Sequence, residues 1–451
     1  MSQSLHVNAL ESEPIGKLLW SYSIPAIIGM ALVSLYNVVD SIFIGHGVGA
    51  VAIAGLGVAA PFMNLTMAIC MLVGIGGATI SSIELGRKNV DRAFQVLGHV
   101  VILSIGMGCC FGFGCLPILR PLLILFGASE VIMPYAYDFM QIVLIFAPVF
   151  FVMLALNNVM RSTGYPKKAM QTSMISVAVN VVLAAIFIFW LELGIRGAAL
   201  ATVCGQIVAL TWILHHFFNK NSVLHFRRGI FTLRKDIVLS MLKIGLAPFM
   251  VNVCGSVVVV FFNLRLFSYG GDMGIGAFGI VNRLLLLFGM IAVGLTQGMQ
   301  PIIGFNFGAK RMDRVKTVLR YGIIAATLIT FIGWLIMQLI PEALAMMFTN
   351  DANLLLISVE AMRYCSLFFF LAGSQIVFVT FFQSLGMPSI AILLSLCRQM
   401  LLLLPALVVL PLFLGLKGVW LSLPFADAMA FLVSSGVWVW ASRRHLEGYQ
   451  S

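Results

Sequence analysis

The chain has few charged residues for its length. Asp, Glu, Lys and Arg make up 10% of the 451 residues, whereas hydrophobic residues make up 61%. A soluble domain is close to half apolar and about a quarter charged, so this composition excludes a soluble enzyme or a soluble binding module. Apolar stretches of about 20 residues recur along the chain, and each is long enough to cross a bilayer as a helix. The sequence therefore predicts an all-α polytopic membrane protein.

The sequence also lacks the motifs of metal, redox and nucleotide chemistry. Its eight cysteines form no Cys-x-x-Cys pair, and no histidine stands beside them at metal-ligand spacing. We expect them to be small core residues that form neither disulfides nor a zinc site. There is no Gly-x-x-x-x-Gly-Lys-Ser/Thr loop for ATP and no cluster of catalytic acids or histidines. We therefore predict no cofactor and no enzymatic activity, and transport would use an ion gradient or the substrate's own gradient.

What the sequence does contain is a repeat of itself. Residues 86–92 (GRKNVDR) recur as residues 308–314 (GAKRMDR), and the pattern Ser-x-Gly-x-Pro at 162–166 recurs at 384–388. Both pairs are shifted by 222 positions, so the chain consists of two homologous halves. Two membrane halves of this kind usually enclose a substrate site between them.

Twelve membrane spans fit the apolar stretches, six in each half, and predict two homologous six-helix bundles around a central cavity. The longest polar stretch inside the chain lies between the halves. We predict an N-terminal cytoplasmic tail at 1–13, a first bundle at 14–218, a cytoplasmic linker at 219–237, a second bundle at 238–442 and a C-terminal tail at 443–451. The spans are predicted at roughly 18–42, 50–80, 94–117, 135–159, 169–191, 195–218, 238–263, 276–303, 318–340, 360–384, 389–413 and 416–441.

Basic residues concentrate on one side of the predicted membrane. The N-terminus and the loops after even-numbered spans carry most of the Lys and Arg, as at Arg87, Lys88 and Arg92, whereas the opposite loops carry few, such as Arg120 and Lys417. The positive-inside rule then places both termini of this multi-pass plasma-membrane protein in the cytoplasm. The net charge of +11 is explained by this topology, so nucleic acid is not a predicted partner.

One carboxyl group lies inside the first predicted span. Asp40 lies near the end of that span remote from the N-terminus. A charge inside a span is costly unless it is paired or faces a cavity. Desolvation disfavours the ionised form of a carboxyl, so such a group can take up and release a proton near neutral pH, or bind a cation. The other interpretation is an interfacial Asp that caps the loop at residues 45–47, and the residue alone leaves both open.

Other polar residues also lie within the first-half spans. Asn180 lies on the fifth span, and Thr202 and Gln206 share one face of the sixth because they are four residues apart. Groups of this kind commonly hydrogen-bond between helices. The residue that corresponds to Asp40 in the second half is Asn263, which cannot titrate. A proton or cation site would therefore belong to the first half only.

The second half carries its own pair of charges within the spans. Arg398 lies in the eleventh span and Asp427 in the twelfth, where they can form a structural ion pair or line the cavity. A bound organic cation would be attracted by Asp40 or Asp427, and Tyr36 could stack on it. The predicted substrate-binding residues are Tyr36, Asn37, Gln206, Arg398 and Asp427.

Further motifs are spread along the chain. They are SIP at 23–25 with DSIFIG at 40–45, the loops at 86–92 and 308–314, RSTGYPKKAM at 161–170, GIRGAALAT at 194–202, QPIIGFNFGAK at 300–310, SLCRQ at 395–399 and GVWLS at 418–422. Taken together these motifs resemble those of multidrug and toxic compound extrusion (MATE) transporters, and the motifs near Arg398 and Asp427 resemble the MepA-like branch. The resemblance covers about residues 14–442.

The resemblance implies efflux of bulky cationic amphipathic compounds in exchange for protons or sodium. It implies that Asp40 couples transport together with Asn180 and Thr202, where Na⁺ could also bind. The family commonly has a second acid four residues after the Asn, and here that position is Ala184. With a single carboxylate, we expect H⁺ rather than Na⁺ coupling. The expected partners are small organic cations and the lipid bilayer, and we expect a monomer. The alternative function is that of a flippase or exporter for a lipid-linked precursor or a native metabolite.

Overall fold

The computed structural model describes residues 10–349 and 351–443, apart from the side chains of Asn37, Ala50 and Asp272. This part of the chain is helical and has no strands. Within the described residues, ten helices are long and apolar enough to cross a membrane, and two pairs of bent helices bring the number to twelve if each pair is one span. The predicted all-α membrane class is confirmed.

The first bundle contains helices α1 to α8. In chain order they are α1 (Ile15–Gly47), α2 (Ala50–Gly86), α3 (Val90–Cys115), α4 (Leu119–Leu125), α5 (Met133–Ile145), α6 (Ala147–Ser162), α7 (Pro166–Ala185) and α8 (Gly194–Phe218). A short 3₁₀ turn (Leu116–Ile118) precedes α4, and a π-helical turn (Ile186–Trp190) ends α7.

The second bundle contains helices α9 to α17. They are α9 (Lys235–Gly271) and α10 (Met273–Gly308), followed by α11 (Met312–Leu339), α12 (Pro341–Met346), α13 (Ala352–Cys365), α14 (Phe369–Ser384), α15 (Pro388–Leu396), α16 (Leu404–Leu414) and α17 (Leu416–Ala441). Between α9 and α10, Gly271 adopts φ 56° and ψ −155°, a conformation that is open in practice only to glycine. A π-helical segment (Cys397–Leu403) joins α15 to α16.

Two predicted spans are broken rather than straight. The span predicted at 135–159 consists of α5 and α6 at an angle of 59°, and the span predicted at 360–384 consists of α13 and α14 at 51°. In the first case Pro148 lies in the opening turn of α6 and has no N–H to continue the helix. In the second, Gln338 Nε2 donates to the Arg363 carbonyl oxygen over 2.9 Å, which satisfies a carbonyl group that the break leaves free.

The two bundles share one apolar core at a single end of the molecule. At the end where α1 begins, Leu18 and Met160 of the first bundle belong to the same buried cluster as Met241, Ile302 and Phe381 of the second. The loops with the repeated basic motif lie at this end, which we call the basic end.

At the opposite end, each bundle buries its own apolar cluster. The first bundle packs Ile44 against residues such as Phe139, and the second packs Leu266 into a cluster with Trp420. The bundles are therefore joined at the basic end and have separate cores at the opposite end.

Glycines allow the helices of the two bundles to approach closely at the basic end. A Cβ atom built on Gly86 would lie 2.0 Å from the carbonyl oxygen of Phe305, and one built on Gly308 would lie 2.0 Å from that of Ile83. A Cβ on Gly245 would lie 1.9 Å from the Leu72 carbonyl oxygen. No side chain fits at these positions unless the bundles move apart.

Candidate functional site

Asp40 lies in α1, two turns before the helix ends at Gly47. Its side chain is buried, with 8% of the residue exposed, and its Oδ1 atom has no hydrogen-bond partner in the part of the chain that the structure describes. A buried carboxylate oxygen without a partner costs free energy. Binding of a proton or a cation would remove that cost.

A chain of hydroxyl and amide groups lies next to Asp40. Thr202 Oγ1 accepts a hydrogen bond from Asn180 Nδ2 over 3.1 Å and donates one to the Ala198 carbonyl oxygen over 3.1 Å. The single hydroxyl hydrogen of Thr202 is used in the bond to Ala198. In the 3.1 Å hydrogen bond between Tyr36 and Thr202, the tyrosine hydroxyl must therefore be the donor. The chain therefore runs from α1 through α8 to α7.

Tyr36 connects this chain to Asp40. The two residues are four positions apart in α1 and share one helix face, and the Asp40 carboxylate interacts electrostatically with the Tyr36 hydroxyl. The helices that carry Asn180 and Thr202 can pack closely because Gly205 has no side chain. A Cβ atom built on Gly205 would lie only 2.6 Å from the Ser176 carbonyl oxygen. The structure thus brings together Asp40, Tyr36, Asn180 and Thr202.

Ala184 lies one turn beyond Asn180 in α7 and is fully buried. Its neighbours form the apolar cluster of the first bundle, which includes Ile188 and Ala198. The oxygen-bearing groups of the site are therefore one carboxylate, two hydroxyls and an amide. A dehydrated metal cation prefers several hard oxygen ligands, whereas a proton needs only one acceptor.

Two predicted site residues are not part of this hydrogen-bonded chain. Gln206 lies one turn along α8 from Thr202 and is partly buried, and its side chain forms no hydrogen bond within the described residues. The side chain of Asn37 lies outside the described part of the structure. The roles predicted for both residues stay predictions.

Arg398 and Asp427 form a second charged site, in the other bundle. Arg398 Nε and Nη2 donate to the same oxygen, Asp427 Oδ1, over 2.8 and 2.7 Å. Asp427 has 4% of its side chain exposed and Arg398 29%, so the pair is neutralised within the bundle while one edge of the guanidinium stays accessible. The structure forms the predicted pair and does not place it with Asp40.

The π-helical segment that carries Arg398 has a local cause. Pro405 has no N–H and cannot donate to the carbonyl four residues earlier, so the helix widens before α16 begins at Leu404. Such widened turns occur frequently at functional sites.

Sequence reasoning missed a group of polar contacts between the bundles. Arg161 follows the fourth predicted span and would be a loop residue, yet it lies in the last turn of α6 and its guanidinium donates to Gln297 Oε1 of α10. Gln300, one turn further along α10, donates to Thr79 Oγ1 over 2.7 Å. Two glutamines three residues apart in an apolar span share a helix face, and this spacing was the signal that could have found them.

The repeated basic motif also connects the bundles, through equivalent residues of the two halves. In the second half, Arg314 donates to the backbone carbonyls of Leu10 and Glu13, before α1. In the first half, Arg92 pairs with Asp236 at the start of α9. Arg92 therefore contacts the first turn of the first helix of the second half, and Arg314 contacts the segment just before the first helix of the first half.

Comparison with known proteins identifies the class of transporter that this fold and site define. The MatE family model matches residues 25–186 and 244–409, and the chain belongs to this family of membrane transporters. Its resemblance to MATE transporters in the motifs is thereby confirmed.

Individual relatives agree with this assignment. Multidrug export protein MepA of Staphylococcus haemolyticus (strain JCSC1435) is 27% identical over 423 residues, which cover 94% of this chain and 93% of MepA. MepA of Staphylococcus aureus (strain MSSA476) is 24% identical with the same coverage. The MATE multidrug transporter DinF-BH, solved in complex with a ligand, is 35% identical, with a TM-score of 0.88 and 96% of each chain covered. A multidrug resistance MATE transporter in an outward-facing conformation has a TM-score of 0.91 at 24% identity, with 98% of each chain covered.

Proposed function

We propose that the protein exports bulky organic cations across the bacterial inner membrane in exchange for protons. The observation that carries this proposal is Asp40, a buried carboxyl group with an unpartnered oxygen beside the Tyr36–Thr202–Asn180 chain. The family membership, the MepA relatives and the similarity to the multidrug transporter DinF-BH support multidrug export.

Proton and substrate would compete for the same negative charge. With Asp40 ionised, the site attracts a cation, and the Tyr36 ring offers a face on which the cation can stack. Protonation of Asp40 removes the charge and releases the cation. Asn180 and Thr202 orient Tyr36 and keep its hydroxyl in place. The single carboxylate, with Ala184 at the neighbouring position, favours H⁺ over Na⁺ as the coupling ion.

Alternating access would consist of opening one end of the molecule while closing the other. The bundles are held together at the basic end by apolar packing and by the Arg161–Gln297 and Gln300–Thr79 contacts. We propose that the basic end faces the cytoplasm and that this structure corresponds to a state open toward the outside. Loading from the cytoplasm then requires these contacts to separate.

The Arg398–Asp427 pair would line the wall of the cavity that the second bundle contributes. Because Arg398 neutralises Asp427, the pair offers a cation little net attraction, and Asp40 is the charge that holds it. Asn37 and Gln206 would supply polar contacts on the first-bundle wall. We propose that the monomer is sufficient, since both charged sites are formed within one chain.

Transport into liposomes tests this function directly. Purified protein in liposomes is given ethidium and either a proton gradient or a sodium gradient, and wild type is compared with Asp40→Asn. Asp138→Asn is the matched control. Asp138 forms an ion pair of 2.9 Å with Arg196 and is not one of the residues of the Tyr36–Thr202–Asn180 chain. We expect the proton gradient to drive ethidium movement in wild type and in the Asp138→Asn control, and to drive none in Asp40→Asn. Movement driven by sodium alone would contradict proton coupling, and no movement with either gradient would favour export of a lipid or metabolite.

A further inference from the structure

An open, groove-like cavity of about 580 Å³ lies in the second bundle, at the opposite end from the basic loops, and neither Asp40 nor Arg398 is among its lining residues. Its walls come from the end of α11, α13 from Leu356 onward, the break before α14 and the first turns of α17. The lining residues are Gln338, Leu356, Val359, Glu360, Arg363, Tyr364, Leu367 and Leu421.

The charges around this cavity are not balanced. Glu360 pairs with Lys417 through a 2.9 Å contact, and the Lys417 ammonium lies 5.6 Å from the centre of the Tyr364 ring. The guanidinium of Arg363, by contrast, has no hydrogen-bond or ion-pair partner among residues 10–349 and 351–443. Glu360 and Lys417 neutralise one another, so the unpaired charge on the cavity wall is that of Arg363, an exposed residue whose guanidinium is open to an anion.

The backbone that carries Arg363 is held in position. Gln338 donates to the Arg363 carbonyl oxygen over 2.9 Å and to Ser366 Oγ over 3.0 Å, which ties the break after α13 to the end of α11. The Tyr364 ring stacks on Trp420 of α17 with a centroid distance of 6.3 Å. The cavity therefore has fixed walls on three helices, and binding would not have to order them.

The mouth of the cavity is apolar and lies at the level where the spans end. Leu356 is 70% exposed and Leu367 is 41% exposed, so both offer surface to lipid chains. Gln338 is the penultimate residue of α11, and Lys417 is the second residue of α17. Residues at the ends of spans lie at the depth of the phospholipid headgroups.

From these features we infer that the cavity binds the phosphodiester headgroup of a membrane phospholipid. The single negative charge of a phosphodiester matches the single unbalanced positive charge, and a planar guanidinium can donate two parallel hydrogen bonds to its oxygens. Arg363 is the binding group, Lys417 adds to the positive potential, and the acyl chains run along Leu356 and Leu367.

Native mass spectrometry of the detergent-purified protein measures this binding without any transport assay. Dioctanoyl phosphatidylglycerol is titrated against wild type, Arg363→Gln, Arg363→Lys and Glu360→Gln. Arg120→Gln is the matched control, because Arg120 is an exposed arginine of the first bundle and, like the cavity, lies at the end remote from the basic end. We expect Arg363→Gln to bind about tenfold more weakly, because it loses a charge-assisted hydrogen bond. Arg363→Lys should bind with intermediate affinity, and Arg120→Gln should bind as wild type does.

Glu360→Gln separates a charge effect from a loss of structure. Removal of this carboxylate frees Lys417, so the lipid should bind more tightly, in the opposite direction to Arg363→Gln. Equal weakening in both variants, or unchanged binding in Arg363→Gln, would overturn the proposal. Inorganic phosphate and glycerol phosphate are added as competitors, and displacement of the lipid at equal concentration would assign the cavity to a soluble phosphate instead. Because the readout is lipid binding, this result is independent of whether the protein exports cations.

Discussion

Gly86 and Gly308 are equivalent residues of the two halves, and each packs against the helix that carries the other. Gly86 of α2 lies against the Phe305 carbonyl of α10, while Gly308 of α10 lies against the Ile83 carbonyl of α2. Both glycines and both carbonyls are 222 positions apart. The contact is therefore symmetric about a local two-fold axis, and the repeat in the sequence recurs as symmetry in the closed end.

Gly86→Ala should open the basic end. The new Cβ cannot be accommodated against the Phe305 carbonyl, and overpacking of this kind costs about 1–3 kcal/mol. That cost falls only on the state in which the bundles touch here, so the population should shift toward closure at the opposite end. Spin labels can be attached at Ser129 of the first bundle and Asn353 of the second, two exposed residues that both lie at the end remote from the basic end. The distribution of distances between the two labels should contain a larger fraction of short distances than in wild type.

Gly57→Ala is the matched control for this experiment. Gly57 lies in the same helix, and a Cβ built there would meet no atom within 4 Å. Its distance distribution should equal that of wild type. If Gly86→Ala also leaves the distribution unchanged, the contact does not determine which end is open.

Thr202→Val should weaken proton-driven transport while Asp40 stays in place. The change keeps the shape of the side chain but removes the oxygen that accepts from Tyr36 and Asn180. Two buried donors lose their partner, at about 1–3 kcal/mol each, and Tyr36 is no longer held beside Asp40. We expect the rate of proton-driven ethidium movement in liposomes to fall about tenfold.

The control for Thr202→Val lies in the same helix. Thr211 is exposed, and its hydroxyl donates only to the Ile207 carbonyl oxygen of its own helix. Thr211→Val should transport as wild type does. Equal rates in both variants would show that the hydroxyl chain next to Asp40 has no part in coupling.

Ala184→Asp should make transport respond to sodium. The added carboxylate would stand one turn from Asn180 and supply the second anionic oxygen ligand that a dehydrated cation needs. Because Ala184 is fully buried among apolar residues, the same change should destabilise the protein in the absence of sodium. Thermal unfolding with and without Na⁺, together with sodium-driven ethidium uptake, measures both effects. Ala184→Asn has the same size without the charge, and it should gain no sodium response.

The sequence predicted the helices of this protein better than their interruptions. Long apolar stretches and the internal repeat were sufficient for twelve spans, because a lipid-facing helix must be apolar along its whole length. The break at Pro148 could have been predicted from the proline, whereas the break after Cys365 depends on which side chain satisfies a free carbonyl, as Gln338 does for Arg363. Hydropathy carries no information about such contacts.

The candidate site was predicted in part for the same reason. Asp40 is conspicuous as a charge in an apolar span, Asn180 and Thr202 are polar residues within spans, and their assignment to one site with Asp40 followed from the resemblance to MATE transporters. The hydrogen bond from Tyr36 to Thr202 joins helices that are far apart in sequence, so no local pattern indicated it. The contact of Arg161 with Gln297 was missed because a basic residue near a loop is normally solvated.

The Arg398–Asp427 pair provides a prediction that separates stability from transport. Asp427→Asn should destabilise the protein by about 3–5 kcal/mol, because it leaves the Arg398 charge in the bundle without its counterion. The double variant Arg398→Met with Asp427→Asn removes both charges and should recover most of that loss, as replaced buried ion pairs commonly do. Thermal unfolding of the single and double variants gives the coupling energy between the two residues.

The transport activity of the double variant then decides the role of the pair. If the pair only holds the π-helical segment Cys397–Leu403 to α17, the stable double variant should move ethidium at the wild-type rate. If the exposed edge of Arg398 lines the substrate path, the double variant should unfold as wild type does and yet show a changed apparent affinity for ethidium. Since the single carboxylate of the coupling site is Asp40, proton coupling should persist in the double variant in either case, and its loss would mean that Asp427 carries protons as well.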